Sequence, residues 1–230
     1  MPRRKQTKGL CAFCAQKIGK GTVARHLADC APHQTALEKA ATAKDDEQTL
    51  FHLRVQDAYG SDFWLDLEMS GSASLKTLDT YLRAIWLECC GHLSEFTQGK
   101  GGWGNPKVAV TRRAAEVFAP DVELTHIYDF GTSSETLVKV VGARQGKPLT
   151  KKPIALLVRN VMPEVACMEC DQRATHLCME CQIEDDAPGF MCDKHLKTHP
   201  HGDNYGGPMG LVNSPRLGMC GYDGPAEPPY

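Results

Sequence analysis

Leu50-Phe51-His52-Leu53-Arg54-Val55, then Gly60-Ser61-Asp62, then Phe63-Trp64-Leu65-Asp66-Leu67-Glu68-Met69: the fold turns on the reading of this stretch. Two apolar-rich runs on either side of a Gly-Ser-Asp turn predict a pair of strands. The second run alternates at its end with the period of two that a strand presents to its two faces. Ser74 then stands as an N-cap, and Leu75, Leu78, Leu82, Ile85 and Trp86 recur at helical spacing. They predict a helix running to about Cys89 and ended by Gly91. After a glycine-rich loop from Gly99 to Gly104, further strands are expected over 123–128, 136–141 and 154–161, with a short helix over 112–118. Strand, strand, helix and then mostly strands argue for an α+β core, a mostly antiparallel sheet with helices on one face.

Working outward from this core, the composition changes on both sides. Of the eleven cysteines, residues 49–163 hold only the adjacent pair Cys89-Cys90. Residues 1–34 hold three and residues 164–230 hold six. The expected organisation is an N-terminal zinc finger over 1–34, a polar helix or linker over 35–48, the core over 49–163, and a double-zinc module with an extended tail over 164–230. A chain of 230 residues has room for one ordinary domain and small additions, and the additions need a staple to fold.

No run of about 18 apolar residues is present, which argues against a transmembrane helix. Met1-Pro2-Arg3-Arg4-Lys5 leads into Leu10-Cys11 and not into a long apolar stretch, so a secretory signal is not expected. A cytoplasmic, reducing setting follows, where clustered thiols bind metal more often than they form disulfides. The net charge of −2 conceals an asymmetry. Residues 1–30 carry seven Lys and Arg against one acid, whereas residues 164–230 carry four against eleven. The basic end suits an anion such as DNA or RNA, and the acidic end repels one and suits a protein partner.

The N-terminal motif is Cys11-x2-Cys14-x11-His26-x3-Cys30. Two thiolates from a tight turn, with a His and a Cys four residues apart, supply four soft ligands for Zn2+. A helix from about Val23 puts His26 and Cys30 on one side. Four protein ligands close the coordination sphere, so this zinc is expected to fold the segment. Arg3, Arg4, Lys5, Lys8, Lys17, Lys20 and Arg25 surround it and are the candidate phosphate contacts.

In the C-terminal block the ligand candidates come in pairs: Cys167 and Cys170, Cys178 and Cys181, Cys192 and His195, His199 and His201. Eight ligands suit two closed sites, for three zinc ions in all. Cys220 and Asp223 form a further pair that could replace one or both of the last two histidines, and His176 reads as a non-ligand. This spacing resembles B-box and related cross-brace zinc modules. By that resemblance Cys167, Cys170, Cys192 and His195 hold one metal, and Cys178, Cys181, His199 and His201 hold the other.

Two stretches of the core carry a second resemblance: Gly91-His92-Leu93-Ser94-Glu95-Phe96 and Thr125-His126-Ile127-Tyr128-Asp129-Phe130-Gly131. They are similar to the plasmid pRi open-reading-frame-three family of plasmid and transposon passenger proteins. That family shows a comparable His-x2-Glu-Phe step and a Tyr-Asp-Phe-Gly-Asp-x-Trp-Glu-His stretch; here only Glu135 matches the end of the latter. The segment from Val212 to Tyr222 resembles tails of its zinc-bearing members. The resemblance implies an α+β fold and an association with mobile elements. It implies no activity.

The expected function is therefore a non-enzymatic zinc adaptor: nucleic acid at the basic finger, a protein at the acidic module. The alternatives are a pure protein-interaction protein, or an enzyme using His92, Glu95 and Asp129, with His126 and Glu135 as further acid-base candidates. The plainer reading is that Tyr128 and Phe130 pack into the sheet while Asp129 caps the turn before Gly131. Trp103, in the glycine-rich loop, either stacks on a partner or folds back onto the sheet.

Overall fold

A computed structural model of the chain describes residues 7–87, 91–202 and 204–219. The chain divides into two units, one of residues up to Leu82 together with His92–Val161, the other of Arg83–Gly91 together with residues from Met162 onward.

The first unit is built on strands β1 (Lys8–Cys11), β2 (Lys17–Gly19), β3 (Gln48–Asp57), β4 (Trp64–Ser70), β5 (Ser94–Gln98), β6 (Lys107–Val108), β7 (Glu123–Tyr128), β8 (Ser134–Gly146) and β9 (Ile154–Asn160). They form one sheet in the order β2-β1-β9-β4-β3-β8-β7-β5-β6. Every pairing is antiparallel. The expected hairpin is present, with β3 and β4 in register from Leu50 opposite Ser70 to Gln56 opposite Trp64. Strand alternation sorts its side chains. Phe51, Leu53, Val55, Leu65, Leu67 and Met69 share one face, and Leu50, His52, Arg54, Trp64, Asp66 and Glu68 share the other.

Both faces are covered. The apolar face carries α3 (Leu75–Leu82), with Leu75, Leu78, Tyr81 and Leu82 buried. It also carries α4 (Ala114–Val117), after which Phe118 packs on Phe51 with ring centroids 5.7 Å apart. The other face is covered by α1 (Val23–Asp29) and α2 (Ala31–Ala41). Here Trp64, Leu157 and Val158 share a core with Cys11, Ile18, Val23, Leu27 and Cys30. The expectation of helices on one face is corrected for a specific reason: the polar residues of the second face satisfy one another and can be buried. Arg54 donates twice to Asp66, at 3.0 and 3.1 Å, and Arg144 donates twice to Glu68, at 2.8 and 2.9 Å. Charged hydrogen bonds of this fork geometry offset much of the desolvation that burial imposes.

The boundary expected after residue 34 does not separate the finger from the core. β1 pairs with β9 from Gly9 opposite Asn160 to Cys11 opposite Val158, so the first knuckle cysteine sits on a strand of the main sheet. The segment read as a polar helix or linker is in its first part the end of α2. The long helix is regular only to Leu82 and continues as a π-helical turn over Arg83–Leu87. Cys89 and Cys90 lie outside the described residues. The Ser94-Glu95-Phe96 step, for which no element is predicted from the sequence, is the start of β5.

The second unit contains β10 (His176–Leu177), α5 (Met179–Ile183), β11 (Phe190–Met191), α6 (Asp193–Leu196) and β12 (Met209–Gly210). The three strands form a small sheet in the order β11-β10-β12. Cys178, Cys181 and Met191 make its compact core, so cysteine sulfurs stand where a larger domain would bury leucines. Ser214 and Arg216 are also buried, and the Ser214 hydroxyl donates to the Trp86 carbonyl. No described helix is long and apolar enough to cross a membrane.

Candidate metal centres

Three groups of four side chains each bring their ligand atoms within 4.8 Å of one another: Cys11, Cys14, His26 and Cys30; Cys167, Cys170, Cys192 and His195; Cys178, Cys181, His199 and His201. All eight cysteines among the described residues are free of disulfides, and each stands in one of these groups. Cys220 and Asp223 lie outside the described residues, as do Arg3, Arg4 and Lys5.

The first group is assembled by short-range geometry. Cys11 ends β1, and its carbonyl accepts from the Ala15 amide at 2.9 Å, closing a tight knuckle. Ala15 itself takes a left-handed conformation, φ 59°. α1 starts at Val23, as its spacing predicts, and carries His26, with Cys30 one turn on. The Cys14 sulfur lies 3.4 Å from His26 Nε2. Burial pushes the Cys11 thiol up, while the Gln16 amide pointing at Cys14 pulls that thiol down.

The other two groups interleave along the chain, first and third pairs together, second and fourth together. In one, His195 Nδ1 lies 3.4 Å from the Cys167 sulfur and 3.5 Å from those of Cys170 and Cys192. Burial opposes ionisation of Cys167, but the amides of Glu169 and Cys192 and the His195 ring outweigh it and bring the thiol down to about 6. In the other, Cys181 lies 3.4 Å from His199 Nε2 and 3.3 Å from His201 Nδ1, and Cys178 lies 3.6 Å from His201 Nδ1. Here burial, and then the neighbouring Cys178, push Cys181 up to about 12. Burial and then His201 hold His199 below the usual imidazole range.

Sequence reasoning missed the outer support of this last group. His201 Nε2 faces Asp185 at 3.5 Å and Glu180 at 4.0 Å. A carboxylate behind a ligating imidazole fixes its tautomer and ring orientation. The signal was the acidic run beside the ligands, which reads on its own as a surface charge. His176 stands outside all three groups and contacts Thr175 and Asp193.

The basic residues divide. Lys8, Lys17 and Arg25 are exposed. Lys20 is instead turned to the sheet, with Nζ 3.2 Å from the Gln56 side-chain oxygen. Burial, and then the neighbouring Arg54, lower its pKa.

The acid-base candidates of the core do not converge. His126 is buried, stacks near Phe96 and contacts Asp79 Oδ1 at 2.8 Å. Glu95 is opposite Ile127 in the β5–β7 register, so it points to the other face, where it meets Lys107 at 2.6 Å. Asp129, at φ 65°, accepts from the amides of Gly131 and Thr132 at 3.0 and 3.2 Å and so caps the turn, and His92 stands 3.5 Å from it. Tyr128 is buried as read from the sequence, but Phe130 is exposed, because the turn carries it past the end of β7. A cavity of about 340 Å³ lies under α1 and α2, lined by Leu27, His33, Gln34, His52, Glu68 and Arg144 among others. Its charged walls are the ion pairs already described.

No family model matches the chain, and no curated protein does. Among solved structures, a protein of unknown function from Methanosarcina mazei Go1 is similar over 46% of this chain and 67% of its own, at 19% identity and a TM-score of 0.39. A likeness of that degree carries no argument about fold or function.

Proposed function

We propose that the three groups hold zinc in closed structural sites, and that the chain is a non-catalytic adaptor with nucleic acid at its basic finger and a protein at its acidic module. The observation that carries the metal reading is the set of sulfur–nitrogen separations, 3.3 to 3.6 Å across all three groups. Zinc bonds of about 2.3 Å to sulfur and 2.0 Å to nitrogen, at the tetrahedral angle, put a sulfur and a nitrogen ligand roughly 3.5 Å apart. Four protein ligands at each ion leave no position for substrate, which supports a structural and not a hydrolytic metal.

For the adaptor reading, Lys8 and Lys17 lie on paired strands, with their side chains outward beside exposed Leu10, and Arg25 is exposed on α1. In the second unit Ile183, Glu184, Asp185, Asp186 and Tyr205 are exposed, a mixed acidic and apolar surface suited to a protein. The mobile-element association rests on the resemblance of the core motifs.

Metal analysis of the purified chain tests the first part, with three zinc ions per chain expected; one or two would overturn it. Filter binding of DNA and RNA at two salt concentrations tests the second. Phosphate contacts must weaken with salt, and a Lys8→Ala, Lys17→Ala, Arg25→Ala triple variant must lose them. Absence of binding at low salt would reduce the proposal to a protein-interaction scaffold.

A further inference from the structure

β8 outruns the strand beside it. β7 pairs with it only from Tyr128 opposite Ser134 to Glu123 opposite Lys139, and one further bond, from the Val140 amide to the Val122 carbonyl at 3.3 Å, ends that ladder. On its other side β3 stays paired with it as far as Gln48 opposite Gly146. The direction of the main-chain groups beyond Val140 follows from β3. The Thr49 carbonyl accepts from the Gly71 amide, toward β4, so Gln48 and Leu50 turn their own groups toward β8. Their partners Gly146 and Arg144 turn back to β3, and the N–H and C=O of Ala143 and Gln145 therefore point the other way. Among the described residues no strand lies there.

Open edges are ordinarily guarded by prolines, free charges, bulges or a cover. This one runs Val141-Gly142-Ala143-Arg144-Gln145-Gly146. Its one charge, Arg144, donates twice to Glu68, and the Gln145 side chain donates to the Thr49 hydroxyl at 2.9 Å. Val141, Ala143 and Gln145 are exposed. A register shift between His52 and Leu53 makes Val141 a bulge, but from Gly142 to Gly146 the register is unbroken. A cavity lies on each face of this segment. On the α3 face, where Ala143 is opposite Phe51, a cavity of about 180 Å³ is lined by Phe51, Pro120, Asp121, Val140 and Ala143. On the α1–α2 face, where Arg144 is opposite Leu50, the cavity of about 340 Å³ meets Gly142 and Arg144 together with Gln34, His52 and Glu68. A strand laid on this edge sends alternate side chains to the two faces, an aliphatic one to the first cavity and a polar one to the second.

We propose that the edge of β8 from Val141 to Gly146 binds an extended peptide of a partner protein as an added strand, with alternating aliphatic and polar side chains. Main-chain bonds to Ala143 and Gln145 supply affinity and the two cavities supply selectivity. A second copy of this chain is the poorer occupant. Exchange of bonds between Ala143 of one edge and Gln145 of another sets Arg144 opposite its own copy, and like charges directly opposite are destabilising. Such a contact also joins few residues, whereas a stable dimer buries more than about 1,000 Å². The site lies within the first unit and is independent of the metal and nucleic-acid readings.

The probe is a phage-displayed library of random heptapeptides, selected on the zinc-loaded full chain and depleted on its Gln145→Pro variant. Because the Gln145 N–H points outward, proline there removes a donor from the edge without breaking a bond to β3. Enriched sequences are expected to alternate aliphatic and polar residues. The most enriched one, made as a fluorescent peptide, is expected to bind the parent chain and Gln145→Ala alike, and to bind Gln145→Pro at least roughly tenfold more weakly by anisotropy. Circular dichroism melts show whether Gln145→Pro keeps the fold. A pair of N-methylated peptides decides the matter on the parent chain alone. Methylation of an amide that faces the edge is expected to abolish binding, and methylation of the next amide to leave it intact. Sedimentation of the free chain is expected to show a monomer. The proposal is overturned if no sequence survives depletion, if both methylated peptides bind equally, if folded Gln145→Pro binds like the parent, or if the free chain is a dimer that Gln145→Pro dissociates.

Discussion

Gly9 lies against Trp64: a Cβ at residue 9 would stand 2.4 Å from the indole ring and 2.6 Å from Val158. This contact lets β1 run beside β9 while Trp64 fills the space between sheet and finger. Gly9→Ala forces the strand off the ring and is expected to destabilise the first unit by about 1–3 kcal/mol. Urea unfolding followed by Trp64 fluorescence measures it, and the Cys11 group should also bind zinc more weakly, because its first ligand ends that strand. Unchanged stability would mean that the finger is not seated on the sheet.

Loss of single ligands should reveal unequal cooperativity. Cys11→Ala is expected to take the zinc count from three to two, since the sheet beneath the finger has its own apolar core. Cys167→Ala is expected to take it to one, because ligand sulfurs form so much of the small core of the second unit. Mass spectrometry of the native chain distinguishes these outcomes from a uniform loss of one.

Asp66 is fully buried between Arg54 and His52. Asp66→Ala leaves two cationic or polar groups without their acceptor, and a loss of about 3 kcal/mol is expected. Asp66→Asn, which keeps one acceptor oxygen, should lose less. Equal melting of the two variants would show that the charge, and not the hydrogen bonding, matters.

Asp79 Oδ1 receives both the Ser94 hydroxyl, at 2.6 Å, and His126 Nε2, at 2.8 Å. Asp79→Ala orphans a buried imidazole and is expected to destabilise by roughly 1–3 kcal/mol. Denaturant titration of this variant against Asp79→Asn reads the effect.

Burial raises the Asp57 carboxyl above its ordinary value, with the amides of Tyr59 and Gly60 opposing. The raised value means that this group favours folding fully below the ordinary carboxylate pKa. That contribution is lost as pH rises through the folded-state value. Asp57→Asn is therefore expected to raise the melting temperature at pH 8, with the gain shrinking as pH is lowered toward the carboxylate range. A constant gain across pH would point to packing in place of ionisation.

Much of this protein was legible locally. His26 and Cys30 are one helical turn apart, and Cys-x2-Cys closes a knuckle whatever surrounds it, so the candidate ligand pairs follow from spacing, while the interleaving of the four C-terminal pairs was implied by the resemblance to cross-brace modules. The apolar-rich runs at 50–55 and 63–69, the second alternating at its end, likewise predict strands, and residues 123–128 match β7 throughout. The acid-base candidates were misleading for the opposite reason. His126 and Glu95 look alike in sequence, but the register of β5 on β7 sends them to opposite faces.

The amino-acid sequence by itself marked the candidate ligand pairs, with His199 and His201 left open against Cys220 and Asp223, together with the α+β character and the charge difference between the ends, because each depends on residues close along the chain. Only the tertiary structure decided that the finger docks on the sheet, that both sheet faces are covered, and that Gly102 packs against Glu135. Those features depend on pairings such as Gly9 with Asn160 and on the approach of Gly102 to Glu135. Spacing along a chain carries no information about contacts made by register and close packing between distant segments.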